Sequence, residues 1–211
     1  MMTKEIAGVI LAGGQSRRMG GGDKGLLALG GGSLLDHVVA RFAPQVGPLV
    51  LSANGDPARF AEVGLPVVAD TVKGFAGPLA GILTGLEWAA ANTTCEALVT
   101  AAGDTPFLPE NLVERLAAAV DEHPGTIAVA CSGGKRHPTF ALWPLGLHQA
   151  LRRFLVDEDI RRVSAFIDRH DFVDVEFPML TSGGHLHDPF FNINTSDDLV
   201  RAERLLQSME P

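Results

Sequence analysis

The sequence holds only two cysteines, Cys95 and Cys131, with no C-x-x-C pair and no ligand pattern beside either. That argues against a disulfide framework or a cysteine metal site and predicts two free, buried thiols in a reducing cytosol. No apolar run reaches the length of a membrane span. The opening "MMTKEIAGVILAGG" has too short an apolar core for a secretion signal and no small-residue cleavage site. It is expected to be a first strand, in a cytoplasmic protein. Positive charge is also scarce: 17 Lys and Arg face 25 Asp and Glu, a net charge of −8. Nucleic acid and anionic membrane are therefore disfavoured as partners, and any anion site has to be built locally. Repeats, low-complexity tracts and linkers are lacking too, so 1–211 reads as one domain, a length that gives a substantial core but would strain to make two.

What is present is an alternation. "IAGVILAG" (6–13), "GPLVLSAN" (47–54), "LPVVAD" (65–70) and "EALVTAAGD" (96–104) are short apolar runs of buried-strand type. Between them, 33–43 and 77–91 carry apolar residues at helical spacing, and 109–123 is a helix with proline in its first turn. This pattern predicts an α/β fold of βαβ units: a mainly parallel central sheet with helices on both faces, a three-layer sandwich. In the second half, 126–133 and 136–144 are expected to pair around Gly133 and Gly134. Helices are expected at 147–156 and 160–170, a strand at 171–177, and a last helix over 194–208 capped by Thr195 or Ser196.

Ligands of such sheets bind beyond the carboxyl ends of the strands. The unusual residues cluster there. "LAGGQSRRMGGGDKG" (11–25) packs six glycines, two arginines and a lysine into the loop after the first strand. Ser52 and Asn54 end the second strand, Asp70 the third and Asp104 the fourth. Gly20, Gly22 and Gly25 formally match G-x-G-x-x-G, but they lie beyond the strand and open into no helix; Walker A fails because Gly25 follows Lys24. What remains is a long loop able to wrap a triphosphate with backbone N–H groups and the cations Arg17, Arg18 and Lys24. A solvated surface loop is the plainer alternative from composition. Asp104 is either a turn carboxylate or a metal ligand, and Pro106 and Pro109 make helix capping by it awkward.

The segment "LAGGQSRRMGGGDKGLL" resembles the signature of Rossmann-like nucleotidyltransferases, of the nucleotide-diphospho-sugar transferase type. Together with "GPLAGI" (77–82), "GDTPFL" (103–108), "HPTFAL" (137–142) and "FNINTSDDL" (191–199), it is similar to the MobA family of molybdenum cofactor guanylyltransferases across nearly the whole chain. The resemblance implies transfer of GMP from GTP to the terminal phosphate of Mo-molybdopterin, with release of pyrophosphate, in an N-terminal GTP-binding half and a C-terminal acceptor-binding half. It implies Arg18 and Lys24 on the triphosphate, Arg17 less firmly, and Asp104 holding Mg²⁺. Leu11, Ala12, Gly13 and Gly14 would offer backbone groups to the nucleotide, and Asp70 would accept from the guanine N1–H and amino group. The family has asparagine where this chain has Ser52, so the contact of that strand end is open between Ser52 and Asn54. Asn192 and Asn194 would reach metal or acceptor, unresolved between them, while Arg136, His137 and Pro138 would line the acceptor side.

Three other readings stay open from residues alone: a cytidylyltransferase for the same pterin, a sugar-1-phosphate nucleotidyltransferase, and a GTP-binding regulatory module without catalysis. A MobB-like accessory protein and molybdoenzyme maturation proteins are the partner classes the resemblance brings with it.

Overall fold

A computed structural model describes residues 5–13, 22–72, 74 and 77–209. The apolar opening forms β1 (Ile6–Leu11), followed beyond the glycine-rich segment by a short hairpin, β2 (Ala28–Leu29) and β3 (Gly32–Ser33). Ser33 then starts α1 (Leu34–Phe42) through a capping box: its hydroxyl accepts from the Asp36 N–H and the Asp36 carboxylate accepts from the Ser33 N–H. β4 (Leu49–Ser52) and β5 (Val67–Val68) follow, then α2 (Pro78–Asn92), which begins with proline in its first turn. The remainder is β6 (Ala97–Ala102), α3 (Leu112–Glu122), β7 (Ile127–Ser132), β8 (Lys135–Pro144), α4 (His148–Val156), α5 (Val163–Ile167), β9 (Phe172–Glu176), β10 (Leu180–Ser182), β11 (His185–His187) and α6 (Ser196–Met209).

Among the described residues, seven strands make one sheet in the order β5-β4-β1-β6-β8-β7-β9. β5, β4, β1 and β6 run parallel, β8 is antiparallel to both of its neighbours, and β9 is again parallel to β7. The β7–β8 turn falls on Gly133 and Gly134, both at positive φ (54° and 77°), as a tight two-residue hairpin requires. Side chains alternate across the sheet. Ile6 and Ile10 of β1 face a core shared with α1 and α3, while Ala7 and Val9 face a second core shared with α2, α4 and α5. Buried aromatics close each layer: Phe42, Phe140 and Phe190 on the first, Trp143 and Phe166 on the second.

α2 lies unusually near the sheet. A Cβ on Gly85 would stand 2.7 Å from a Val9 methyl, and one on Gly81 would meet Leu11 and Ser52 at 2.9 Å. These two glycines, one helical turn apart, form the face on which the helix sits across β1 and β4.

Two expectations are revised. The helix expected over 160–170 shrinks to the single turn Val163–Ile167, because only Val163, Phe166 and Ile167 bury side chains there and Arg162 is still extended. The hairpins β2–β3 and β10–β11 were not anticipated; the second turns on Gly183 and Gly184, again both at positive φ. Thr195 is the residue that caps α6: its hydroxyl accepts from Asp198 N–H, and the Asp198 carboxylate accepts from the N–H groups of Asn194 and Thr195.

Candidate active site

β1 and β6 are neighbours, yet the chain leaves them toward opposite edges of the sheet. A crevice is the geometric result of such a switch point. Here it opens between the end of β1 and the end of β6, which are tied by a hydrogen bond from Gly103 N–H to the Leu11 carbonyl (3.0 Å). The resulting cavity has a volume of about 890 Å³.

One end is built by β1, β4 and the segment after β5. Leu11, Ala12 and Gly13 line it together with Ser52, Asn54 and Asp70. Asn54 makes a two-point contact with Asp70: its Nδ2 donates to Asp70 Oδ2 (2.6 Å) and its Oδ1 accepts from Asp70 N–H (2.9 Å). The Asn54 amide is thus engaged in aiming the Asp70 carboxylate. Burial raises the pKa of Asp70 above its ordinary value, and hydrogen bonds from Asn54 and Ser52 pull it part of the way back.

The other end gathers groups from three distant segments. Lys24 Nζ donates to Asp104 Oδ2 and to Asn194 Oδ1 (2.5 Å for the latter). Asp104 Oδ1 accepts from Asn192 Nδ2 and from the Thr105 hydroxyl, each at 3.3 Å. The asparagine segment is held in place by Ile193 N–H donating to the Asp104 carbonyl (3.1 Å) and by Asp198 gripping the Asn194 backbone. The side chains of Lys24 and Asp104 are only 12% and 19% exposed. An ion pair so shielded keeps most of its Coulomb attraction, at the cost of desolvating both charges.

The residues assigned to an acceptor side part company. Asn192 lines the cavity, and Asn194 meets Lys24 at its end. His137 is buried, stacked on Phe190 at 4.6 Å between ring centroids. The Ser132 hydroxyl donates to Asp188 Oδ1 (2.7 Å), so its one proton is spent and His137 Nε2 donates to Ser132 Oγ (2.7 Å). A serine arranged in this way is not activated as a nucleophile. The cluster instead anchors the stretch from Asp188 to the asparagines on β7 and β8. Burial lowers the His137 pKa, with the nearby Asp188 opposing.

Arg136, on the other face of β8, pairs with Asp168 (3.0 Å) and Asp174 (2.8 Å) and covers the Phe172 ring. The structure does not bring it to the cavity. Pro138 is half-buried in β8, and Thr139 beside it lines the cavity. Gly14, Arg17 and Arg18 lie outside the described residues. The Cys131 thiol is pushed up to about 12, by burial first and then by Asp174, which removes it as a nucleophile at neutral pH.

Sequence reasoning missed Asp23 and Arg59, which also line the cavity and form an ion pair at 2.8 Å. Their separation of 36 residues leaves no local pattern, and Arg59 reads as an exposed cation in a polar turn.

A mainly parallel α/β sheet with its cleft at the switch point, an aimed carboxylate at one end and a lysine–carboxylate–amide group at the other, is the arrangement of the Rossmann-like nucleotidyltransferase class. Within it, the chain belongs to the family of MobA-like NTP transferase domains, which matches residues 8–173. It is 69% identical to the molybdenum cofactor guanylyltransferase of Mesorhizobium japonicum, over 99% of each chain. It is 52% identical to the protein of the same name from a Bradyrhizobium species, over 96% of this chain and 94% of that one. The fold agrees with the crystal structure of molybdopterin-guanine dinucleotide biosynthesis protein A from Archaeoglobus fulgidus at a TM-score of 0.73. Identity there is 24%, covering 96% of this chain and 100% of the other.

Proposed function

We propose that this enzyme transfers GMP from GTP to the terminal phosphate of Mo-molybdopterin. A phosphate oxygen of the pterin bonds to the α-phosphorus of GTP, the α–β bridging P–O bond breaks, and pyrophosphate leaves. The product is molybdopterin guanine dinucleotide. The observation that carries this reading is the two-ended cavity: an aimed carboxylate, Asp70, at one end and the Lys24–Asp104–asparagine group at the other. Both lie in a chain 69% identical to a molybdenum cofactor guanylyltransferase.

In this reading the carboxylate of Asp70 accepts from guanine N1–H and the 2-amino group, a pair of donors that adenine lacks. Asn54 fixes the carboxylate's orientation, and the end of β1 supplies backbone groups. The attacking phosphate is already anionic, so no general base is required; alignment and charge neutralisation are the chain's contribution. Lys24, and Arg18 from the motif, neutralise the triphosphate.

The oxygens around Asp104 fit a hard cation. Its carboxylate already holds the Lys24 ammonium, and the amide oxygen of Asn194 is directed at the same point. Among the described residues no group of three His, Cys, Asp or Glu is placed to hold a metal ion, so most remaining ligands would be phosphate oxygens and water, as Mg²⁺ favours. Asp104 would hold Mg²⁺ with help from Asn192 or Asn194; when bound, the ion neutralises charge on the α-phosphate and leaving group. The two free thiols suit a reducing cytoplasm.

The test is a panel of the four nucleoside triphosphates with Mo-molybdopterin and Mg²⁺, read as pyrophosphate release. GTP is expected to lead clearly. If CTP leads, the enzyme is a cytidylyltransferase of the same pterin; if GTP binds without turnover, it is a regulatory module.

A further inference from the structure

Lys24 opens a short 3-10 turn, Lys24–Leu26, and the side chain of its N-cap residue Asp23 makes no capping hydrogen bond to it. The turn is instead fixed from outside. Asp23, the residue before Lys24, is held by Arg59 from the turn after β4: Nη1 donates to Asp23 Oδ1 (3.0 Å) and lies 2.8 Å from Oδ2. The same guanidinium donates through Nη2 to the Asn54 carbonyl (2.5 Å) and through Nε to the Asp56 carbonyl (3.0 Å). Three edges of one planar group are thus occupied, a geometry lysine cannot reproduce. Asp23 is 14% exposed as a side chain, so this pair is more shielded than an ordinary surface one. Gly55, at φ +89°, leaves the space: a Cβ there would stand 3.3 Å from Arg59 Nη2.

Asn54 is the residue whose amide aims Asp70, and Asp23 is the residue that leads into Lys24. We infer that Arg59 is a positioning residue that clamps Asp23, and with it the turn that opens on Lys24, onto the base-binding strand end, so that Lys24 is presented to the triphosphate in register with a bound guanine. The inference rests on the nucleotide reading of this cavity. Arg59 acts through Asp23; it is not assigned a contact to substrate.

The experiment is calorimetric titration of the full-length protein with GTP and, separately, with guanosine. The proteins are wild type, Arg59→Ala, Arg59→Lys, Asp23→Asn and the double variant, with Lys24→Ala as the control on the site. Arg59→Ala and Asp23→Asn are each expected to weaken GTP about threefold to tenfold, the range of a partly shielded, charge-assisted pair, and to leave guanosine unchanged. The double variant should be no worse than either single one, because both remove the same contact. Arg59→Lys should fall between wild type and Arg59→Ala. Thermal midpoints measured alongside show that each protein is folded.

A loss in Arg59→Ala with none in Asp23→Asn overturns the clamp and makes Arg59 a direct phosphate ligand. Equal losses for GTP and guanosine overturn it in favour of a base-end role. No loss in either variant also overturns it. If Lys24→Ala itself leaves GTP affinity intact, the nucleotide reading of this end fails and overturns the clamp with it, an outcome told apart from the others by the control variant.

Discussion

Asp70 is buried enough to raise its pKa and is held by an asparagine that can do little but aim it. A carboxylate kept in such a place costs the empty protein stability while it is ionised. The sign follows: the folded state binds its proton more tightly than the unfolded chain, whose value is near 3.8, so stability falls as pH rises through and above that value. Asp70→Asn should therefore melt higher than wild type at neutral pH, with the difference shrinking toward pH 4 in a thermal series. The same variant should narrow the preference for GTP over ATP and CTP by reducing GTP use, since the amide cannot accept both guanine donors. A preserved preference would move base recognition to the backbone at the end of β1. At the other end, Asp104→Asn keeps shape and removes the charge. Turnover should drop by on the order of 10²-fold or more, the scale seen when one preorganised electrostatic contact is lost, with a smaller change in GTP affinity. Single-turnover and binding assays run side by side separate the two effects.

At the scale of elements, the seat of α2 depends on the missing side chains of Gly81 and Gly85. Gly85→Ala would improve helix propensity, but its methyl would meet Val9 at 2.7 Å inside a packed core. Overpacking should win, and urea unfolding should show a loss of about 1–3 kcal/mol. The β7–β8 hairpin and the asparagine segment are joined by His137, whose pKa is lowered by burial. A histidine held neutral contributes stability that is full above the unfolded value of 6.5 and is lost as pH falls below it. The urea midpoint should decline from pH 7.5 to pH 5.5 in wild type and decline less in His137→Gln. An equal decline in both would place the titration elsewhere.

At the scale of the molecule, one sheet takes strands from both halves of the chain, so ligand binding at the switch point should stabilise the chain as a unit. GTP with Mg²⁺ at a hundred times its dissociation constant should add about 2.7 kcal/mol of unfolding free energy, visible as a raised melting temperature. A shift of that kind with GTP and none with ATP would report base selection without any turnover.

Much of this architecture is legible without coordinates, because it is written in local terms. Apolar runs of strand length alternate with 3.6-period stretches, so the parallel α/β sheet with helices on both faces follows from the alternation. The Gly133–Gly134 turn follows from its residue types, since only glycine takes positive φ freely. The Gly183–Gly184 turn carries the same signal but joins strands of three residues with little apolar alternation, and it passed unread. The ends of the strands could be named as candidate ligand positions, because chain order and the switch-point rule need no distances. What the tertiary structure alone decided is which of those residues meet. Asn54 grips Asp70 at two points, with Ser52 beside it; Arg136 turns away to Asp168 and Asp174; His137 is spent on Ser132 and Asp188; Arg59 reaches Asp23 across 36 residues. The reason is physical. Backbone pattern depends on neighbours in sequence, whereas a side chain's partner is set by sheet order and by which face of a strand it leaves, and neither is encoded within any short stretch of the chain.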